Sequence, residues 1–183
     1  MKKMKMGGVH FFSVNATEIN NTEIVKLLMG YANKHNIILE INEKNEDEWS
    51  PFNLSIINNN IEIVKLLMEY ANKHHIIIQI NEKNPNGDNS LNLAIDNNNI
   101  KIVKLLMEYA NEHNIILEIN EKNEDRWSLL KLSFANYNNK IVKFLKEYAN
   151  EHIFTIIYIL IVIIMYMYMY FYCNLYPLRD NYK

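Results

Sequence analysis

Residues 24–29 read Ile-Val-Lys-Leu-Leu-Met, and the same six residues return at Ile63 and Ile102. A variant, Ile-Val-Lys-Phe-Leu-Lys, begins at Ile141, so each step is 39 residues. Other landmarks keep that step. Ile-Asn-Glu-Lys-Asn begins at Ile41, Ile80 and Ile119, and His35, His74, His113 and His152 are equally spaced. Trp49 and Trp127 stand two steps apart with Asp88 at the position between them. Self-similarity at a fixed period of roughly 20–50 residues marks a stacked repeat array, in which each unit buries its apolar face only against its neighbours. The array is expected over residues 21–152, with residues 1–20 as a degraded first repeat or cap.

One unit illustrates the reading. Ser50 is placed to cap a helix that opens with Pro51, whose missing N–H is not needed at a first helical position. Asn89 and Ser128 hold the same place in later units. The stretch from Phe52 to Ile57 predicts a short helix with two apolar faces. It closes at Asn58-Asn59-Asn60, repeated as Asn97-Asn98-Asn99, because Asn tolerates the left-handed conformation that ends a helix. A second helix starts near Ile61. Ile63, Val64, Leu67, Tyr70 and Ala71 share its apolar face, and Glu62, Lys65, Glu69 and Lys73 form the opposite stripe. Ile76 to Asn84 reads as an extended, strand-like arm running into a polar turn.

The run from Asn86 to Ala94 followed by Ile100–Leu106 resembles an ankyrin repeat, whose pattern is a turn with D-x-x-G-x-T-P-L-H-x-A and then a helix E-I-V-K-L-L-L. Residues 62–67, Glu-Ile-Val-Lys-Leu-Leu, are close to that helix word for word. The resemblance implies an all-α solenoid of about four helix-turn-helix-hairpin units. It also implies a non-catalytic scaffold that binds another protein along its hairpin tips and first helices. The departures are specific. The family period is about 33, so each unit here carries extra residues between Ala71 and Ile80, which predicts a second helix longer by a turn or more. Gly87 keeps the turn glycine, while Glu48 and Arg126 replace it. Asn53, Asn92 and Lys131 replace the family histidine. Tyr137 stands where Asn59 and Asn98 close the first helix, so the last unit is expected to be irregular.

Composition narrows the function classes. The 183 residues are 49% apolar with a formal charge of −2. No basic face is available to neutralise phosphates, so a nucleic-acid partner is not expected. One cysteine excludes a disulfide framework and any thiolate zinc site. Four glycines leave no phosphate-cradling loop or dinucleotide fingerprint. There are 30 Asn and 27 Ile, and 17 Lys against two Arg, a bias that an A- and T-rich coding sequence also produces.

From Ile153 to Cys173 there are 21 residues without a charge. As a helix they would span about 31 Å, enough for the apolar core of a bilayer. Read literally, 153–173 is a single long apolar helix that contacts the lipid bilayer and tethers the array, with the tail 174–183 beyond it. Lys140, Lys143 and Lys146 before the run and Arg179 and Lys183 after it slightly favour repeats facing the cytosol. A second reading stands beside this one. Residues 165–170 alternate Met and Tyr, as translation of a short tandem nucleotide repeat would give. On that reading the tail is a gene-boundary or frameshift product, and the protein is a cytoplasmic array fragment.

Site candidates follow from the turns. Trp49 and Trp127 are expected at hairpin tips, and exposed Trp is a frequent interface anchor. Glu46, Asp47, Asp88, Asp125 and Arg126 accompany them, and the acidic balance suits a basic protein partner. The competing reading is that each Trp folds back over its own turn, with the carboxylates simply solvated. The periodic histidines do not predict a metal site. Equivalent positions in stacked helices lie about 10 Å apart, whereas zinc holds its ligands at about 2 Å. No catalytic motif occurs, no cofactor is expected, and the array is expected to be a monomer.

Overall fold

The computed structural model describes residues 20–118 and 139–151, together with residues 161, 164, 165 and 168. Five helices are fully bounded: α1 (Thr22–Lys34), α2 (Pro51–Ile57), α3 (Ile61–His74), α4 (Ser90–Asp96) and α5 (Ile100–Glu112). Residues 139–151 are helical at the position of the fourth repeat of the Ile-Val-Lys word. Short and long helices alternate, as the sequence period requires. The chain divides into two units, Met1–Lys143 and Phe144–Lys183. In the second, residues 144–151 are helical, with Leu145 and Tyr148 buried.

The caps are where their side chains allow. Ser50 accepts from Asn53 N–H at 3.1 Å, with Pro51 at the first helical position. Asn89 accepts from the N–H groups of Leu91 and Asn92, and Asn92 answers the Asn89 N–H, completing a capping box. The Asn triplets divide three tasks. Asn58 and Asn97 cap the C-termini of α2 and α4. Asn59 and Asn98 take left-handed conformations, at φ 56° and 54°. Asn60 and Asn99 cap the N-termini of α3 and α5.

Packing follows the period. Ile63, Val64, Leu67, Met68, Tyr70 and Ala71 of α3 are buried, and their counterparts Ile102 through Ala110 of α5 are buried equally. Each fully buried Ile or Leu contributes about 1.5–3 kcal/mol of transfer free energy. The short helices lie inside the stack, so α2 is buried from Pro51 to Ile56 and α4 from Ser90 to Ile95. In α1 the same positions are less covered: Ile24 is 41% exposed and Tyr31 58%, whereas Ile63 and Tyr70 are at 0% and 3%.

Two expectations need revision. The added residues after Ala71 do not all lengthen the second helix. Asn72, Lys73 and His74 continue it for just under one turn, His75 ends it at φ 56°, and Ile76 to Gln79 form an arm. The arm is also not a strand, and no strand occurs among the described residues. Its side chains do alternate, with Leu39, Ile41, Ile78 and Ile80 buried. However, its backbone pairs with side chains rather than with another arm's backbone. Asn42 donates from Nδ2 to the Ile77 carbonyl at 2.8 Å, and its Oδ1 accepts from Gln79 N–H. Asn81 makes the same pair of contacts with Ile116 and Glu118. A side-chain amide spans the gap between units that the helix diameter imposes, which a backbone ladder cannot reach.

Residues 1–19 of the expected degraded first repeat or cap (1–20), the cap Ser128, Tyr137 and the tail 174–183 lie outside the described residues. So does the expected long apolar helix at 153–173, apart from Ile161, Ile164, Met165 and Tyr168, which are helical and exposed. Among the described residues no helix is long and apolar enough to cross a membrane.

Candidate functional site

The polar turns between units hold the first group of candidate residues. Asn45 closes one of them. Its N–H donates to the Trp49 carbonyl at 2.9 Å, its Oδ1 accepts from Trp49 N–H at 2.8 Å, and its carbonyl accepts from Glu48 N–H at 3.0 Å. Glu46, Asp47 and Glu48 are exposed on the loop so formed, and Trp49 is half-buried at its base. The turn therefore brings Glu46, Asp47 and Trp49 together within four residues, on a frame closed by three hydrogen bonds.

Asn84 builds the equivalent turn one unit later. Its Oδ1 accepts from the N–H groups of Asn86 and Asp88, both at 2.9 Å, and its carbonyl accepts from Gly87 N–H. Asp88, which stands where Trp49 does, is buried rather than displayed. The Asn84 Nδ2 group is buried and has no partner among the described residues. Asp125, Arg126 and Trp127 lie outside the described residues. The turn-closing Asn is the functional detail that motif and spacing arguments miss. Its signal is the recurrence of Asn45, Asn84 and Asn123 at the repeat step.

Asp96, at the last position of α4, adds a second acidic element. Desolvation pushes its carboxyl up from the ordinary carboxylate range, and the charge of Asp88 pushes the same way.

The histidines have a structural assignment. Tyr31–His35, Tyr70–His74 and Tyr109–His113 each stack one helical turn apart, at ring centroid separations of 4.2 Å. His74 Nε2 lies 2.9 Å from Asn33 Oδ1, and His113 Nε2 lies 2.9 Å from Asn72 Oδ1. His74 and His113 thus each join the preceding unit's second helix. Among the described residues no three His, Cys, Asp or Glu side chains are grouped to hold a metal ion.

An open groove of about 290 Å³ runs between α1 and α3, lined by Lys26, Met29, Gly30, Leu66, Glu69 and Lys73 among others. Gly30 stands where later units have Glu69 and Glu108, and a Cβ built on it would meet nothing within 4 Å. Lys26, at the groove's edge, is paired with Glu62 at 2.8 Å. The groove is a gap left by a missing side chain and encloses no reactive group.

Two helices per unit, a polar turn between units and a strict 39-residue step describe one architecture. Comparison with protein families agrees: residues 13–116, more than half of the chain, match ankyrin repeats in three copies. The chain belongs to the ankyrin repeat family. No curated protein matches it. Within the ankyrin family, repeats of this kind are typically protein–protein interaction modules and are generally non-catalytic scaffolds. The 39-residue unit is longer than the family period of about 33, and the stretch after Ala71 forms the helix end, the His75 cap and the arm at residues 76–79.

Proposed function

We propose that this ankyrin repeat array is a non-catalytic module that binds a basic segment of another protein along its polar turns. The observation that carries the proposal is the turn at 45–49, where three exposed carboxylates surround a half-buried Trp49 on a loop closed by Asn45. A half-buried indole on a fixed frame loses little entropy on binding, and Trp and charged rims are typical of interface hot spots. Asp96, exposed at the end of α4, adds a further carboxyl group.

Display of random lysine- and arginine-rich peptides against the full chain tests this. A selected peptide should bind Trp49→Ala about 30-fold more weakly, the loss expected when a hot spot of about 2 kcal/mol is truncated. Glu46→Lys with Asp47→Lys should slow association and reduce its salt dependence. Unchanged binding by Trp49→Ala and Trp127→Ala would remove the turns from the site.

On the same proposal the module sits at a membrane, with repeats facing the cytosol, through the uncharged run 153–173. Its support is the length of that run and the lysines before it. Carbonate extraction of membranes from cells expressing the full chain, beside a chain ending at His152, separates the possibilities. Full-length protein in the pellet with a soluble truncation supports the tether. If both are soluble, the second reading holds: a cytoplasmic ankyrin fragment with a mistranslated tail. The Met-Tyr alternation at 165–170 favours that reading, and the transcript's reading frame across His152 checks it independently.

A further inference from the structure

The arms carry a feature that the turns do not explain. Within each arm one residue is buried, Leu39, Ile78 or Leu117, and its neighbours on either side are more exposed. The outward residue is isoleucine every time: Ile38 is 43% exposed, Ile77 51% and Ile116 56%. The next outward residue is polar every time: Glu40, Gln79 and Glu118. The three isoleucines contribute little to the core, and the polar neighbour shows that this face does not default to apolar residues. The arms of Ile77 and Ile116 are also held in register. Asn42 takes the carbonyl of Ile77 and the N–H of Gln79, and Asn81 takes the carbonyl of Ile116 and the N–H of Glu118. Each asparagine therefore brackets the buried Ile78 or Leu117 and holds the carbonyl of the exposed isoleucine just before it.

Stacked units repeat at about 10 Å, the spacing of packed helices. Seven residues of an α-helix rise about 10.5 Å. A helix lying along the ridge would set an apolar side chain on each isoleucine at every seventh residue. The ridge is bordered by Glu40 at one end and Glu118 at the other, so basic residues on the flank of that helix would be favoured. We infer that the ridge of Ile38, Ile77 and Ile116 is a second docking surface, and that its occupant is an amphipathic helix with heptad-spaced apolar residues and a basic flank. This surface is separate from the turn site and does not depend on it.

The probe is a fluorescent, alanine-based helical peptide of about three heptads, with leucine at every seventh residue and a lysine one turn before each. Two comparison peptides have the leucine spacing shuffled or the lysines changed to glutamate. Anisotropy titrations against the full chain should give saturable binding to the first peptide only. Ile77→Ser should weaken it about tenfold, and Ile38→Ser and Ile116→Ser should weaken it independently. Glu40→Lys with Glu118→Lys leaves the core untouched, and should lose the lysine peptide while gaining the glutamate peptide. Trp49→Ala should leave this binding unchanged. Equal binding of the shuffled peptide, or full binding by Ile77→Ser with its helical signal intact, would overturn the inference. So would a wild-type dimer that Ile77→Ser makes monomeric, since the ridge would then hold a second copy. Loss of the peptide in Trp49→Ala would move it to the turns and overturn the ridge assignment.

Discussion

The phenol oxygen of Tyr109 accepts the backbone N–H of Ile78 at 3.0 Å, across a unit boundary and with both residues buried. Tyr70 does the same for Leu39, also at 3.0 Å. Burial raises both phenols above their ordinary pKa, the hydrogen bond from the backbone opposing it, so they remain protonated through neutral pH. The second helix of each unit thus supplies the hydrogen-bond partner that the preceding arm lacks. Tyr109→Phe removes that acceptor while keeping the ring, leaving the Ile78 N–H buried and unpaired. It should cost about 1–3 kcal/mol in urea unfolding. A cost near zero would mean that water reaches Ile78 N–H.

His74 couples stability to pH. Its pKa is lowered, first by burial and then by the charges of Lys73 and His75. The folded state therefore binds fewer protons than the unfolded state. Stability is full above the ordinary histidine value of 6.5 and declines as pH falls through it toward the lowered folded value. His74→Gln retains an N–H donor for Asn33 and should flatten that decline. Urea midpoints of both proteins, measured from about pH 7.5 down to 5.5, check it. Parallel pH profiles would exclude His74 as the source.

Asn99 carries two loads. Its Oδ1 accepts from Lys101 and Ile102 N–H at the start of α5, and its Nδ2 donates to Asn59 Oδ1 of the preceding unit. Asn99→Ala loses the cap and the bridge, and should cost about 1–2 kcal/mol. Asn99→Asp keeps the cap and places its charge favourably at a helix N-terminus, so it should cost less. Equal costs in thermal melts would show that the bridge to Asn59 carries the stability and the cap carries little.

Glu48 holds φ 61°, where Gly87 of the next unit holds φ 76°. A residue with a Cβ pays about 1 kcal/mol or more for that conformation. Glu48→Gly should therefore raise stability by about 1 kcal/mol, less the entropy that glycine restores to the unfolded chain. Gly87→Ala should lower it. Destabilisation by Glu48→Gly would show that the Glu48 side chain makes a contact worth more than the strain.

Much of this architecture is legible in residue type and spacing. The caps Ser50 and Asn89, the closing Asn59 and Asn98, and the apolar face of α3 each depend on contacts within a few residues, so local pattern suffices to find them. The arm is legible in its alternation but not in its pairing. Alternation reports which side chains are inward. It says nothing about whether the backbone's partner is a strand or the amide of Asn42. Trp49 and Asp88 occupy one position in the repeat, yet one is half-exposed and the other buried. Their shared spacing could not distinguish them.

The sequence by itself determined the repeat, the helix starts and the core positions, since a 39-residue period and local hydrogen-bonding chemistry leave little choice. Only the tertiary structure decided what joins one unit to the next: the Tyr70 and Tyr109 hydroxyls, the His74–Asn33 contact, and the asparagines that bracket Ile78 and Leu117. Those contacts span 31 to 41 residues. Their partners are set by the rotation and spacing of stacked helices, which no local pattern encodes.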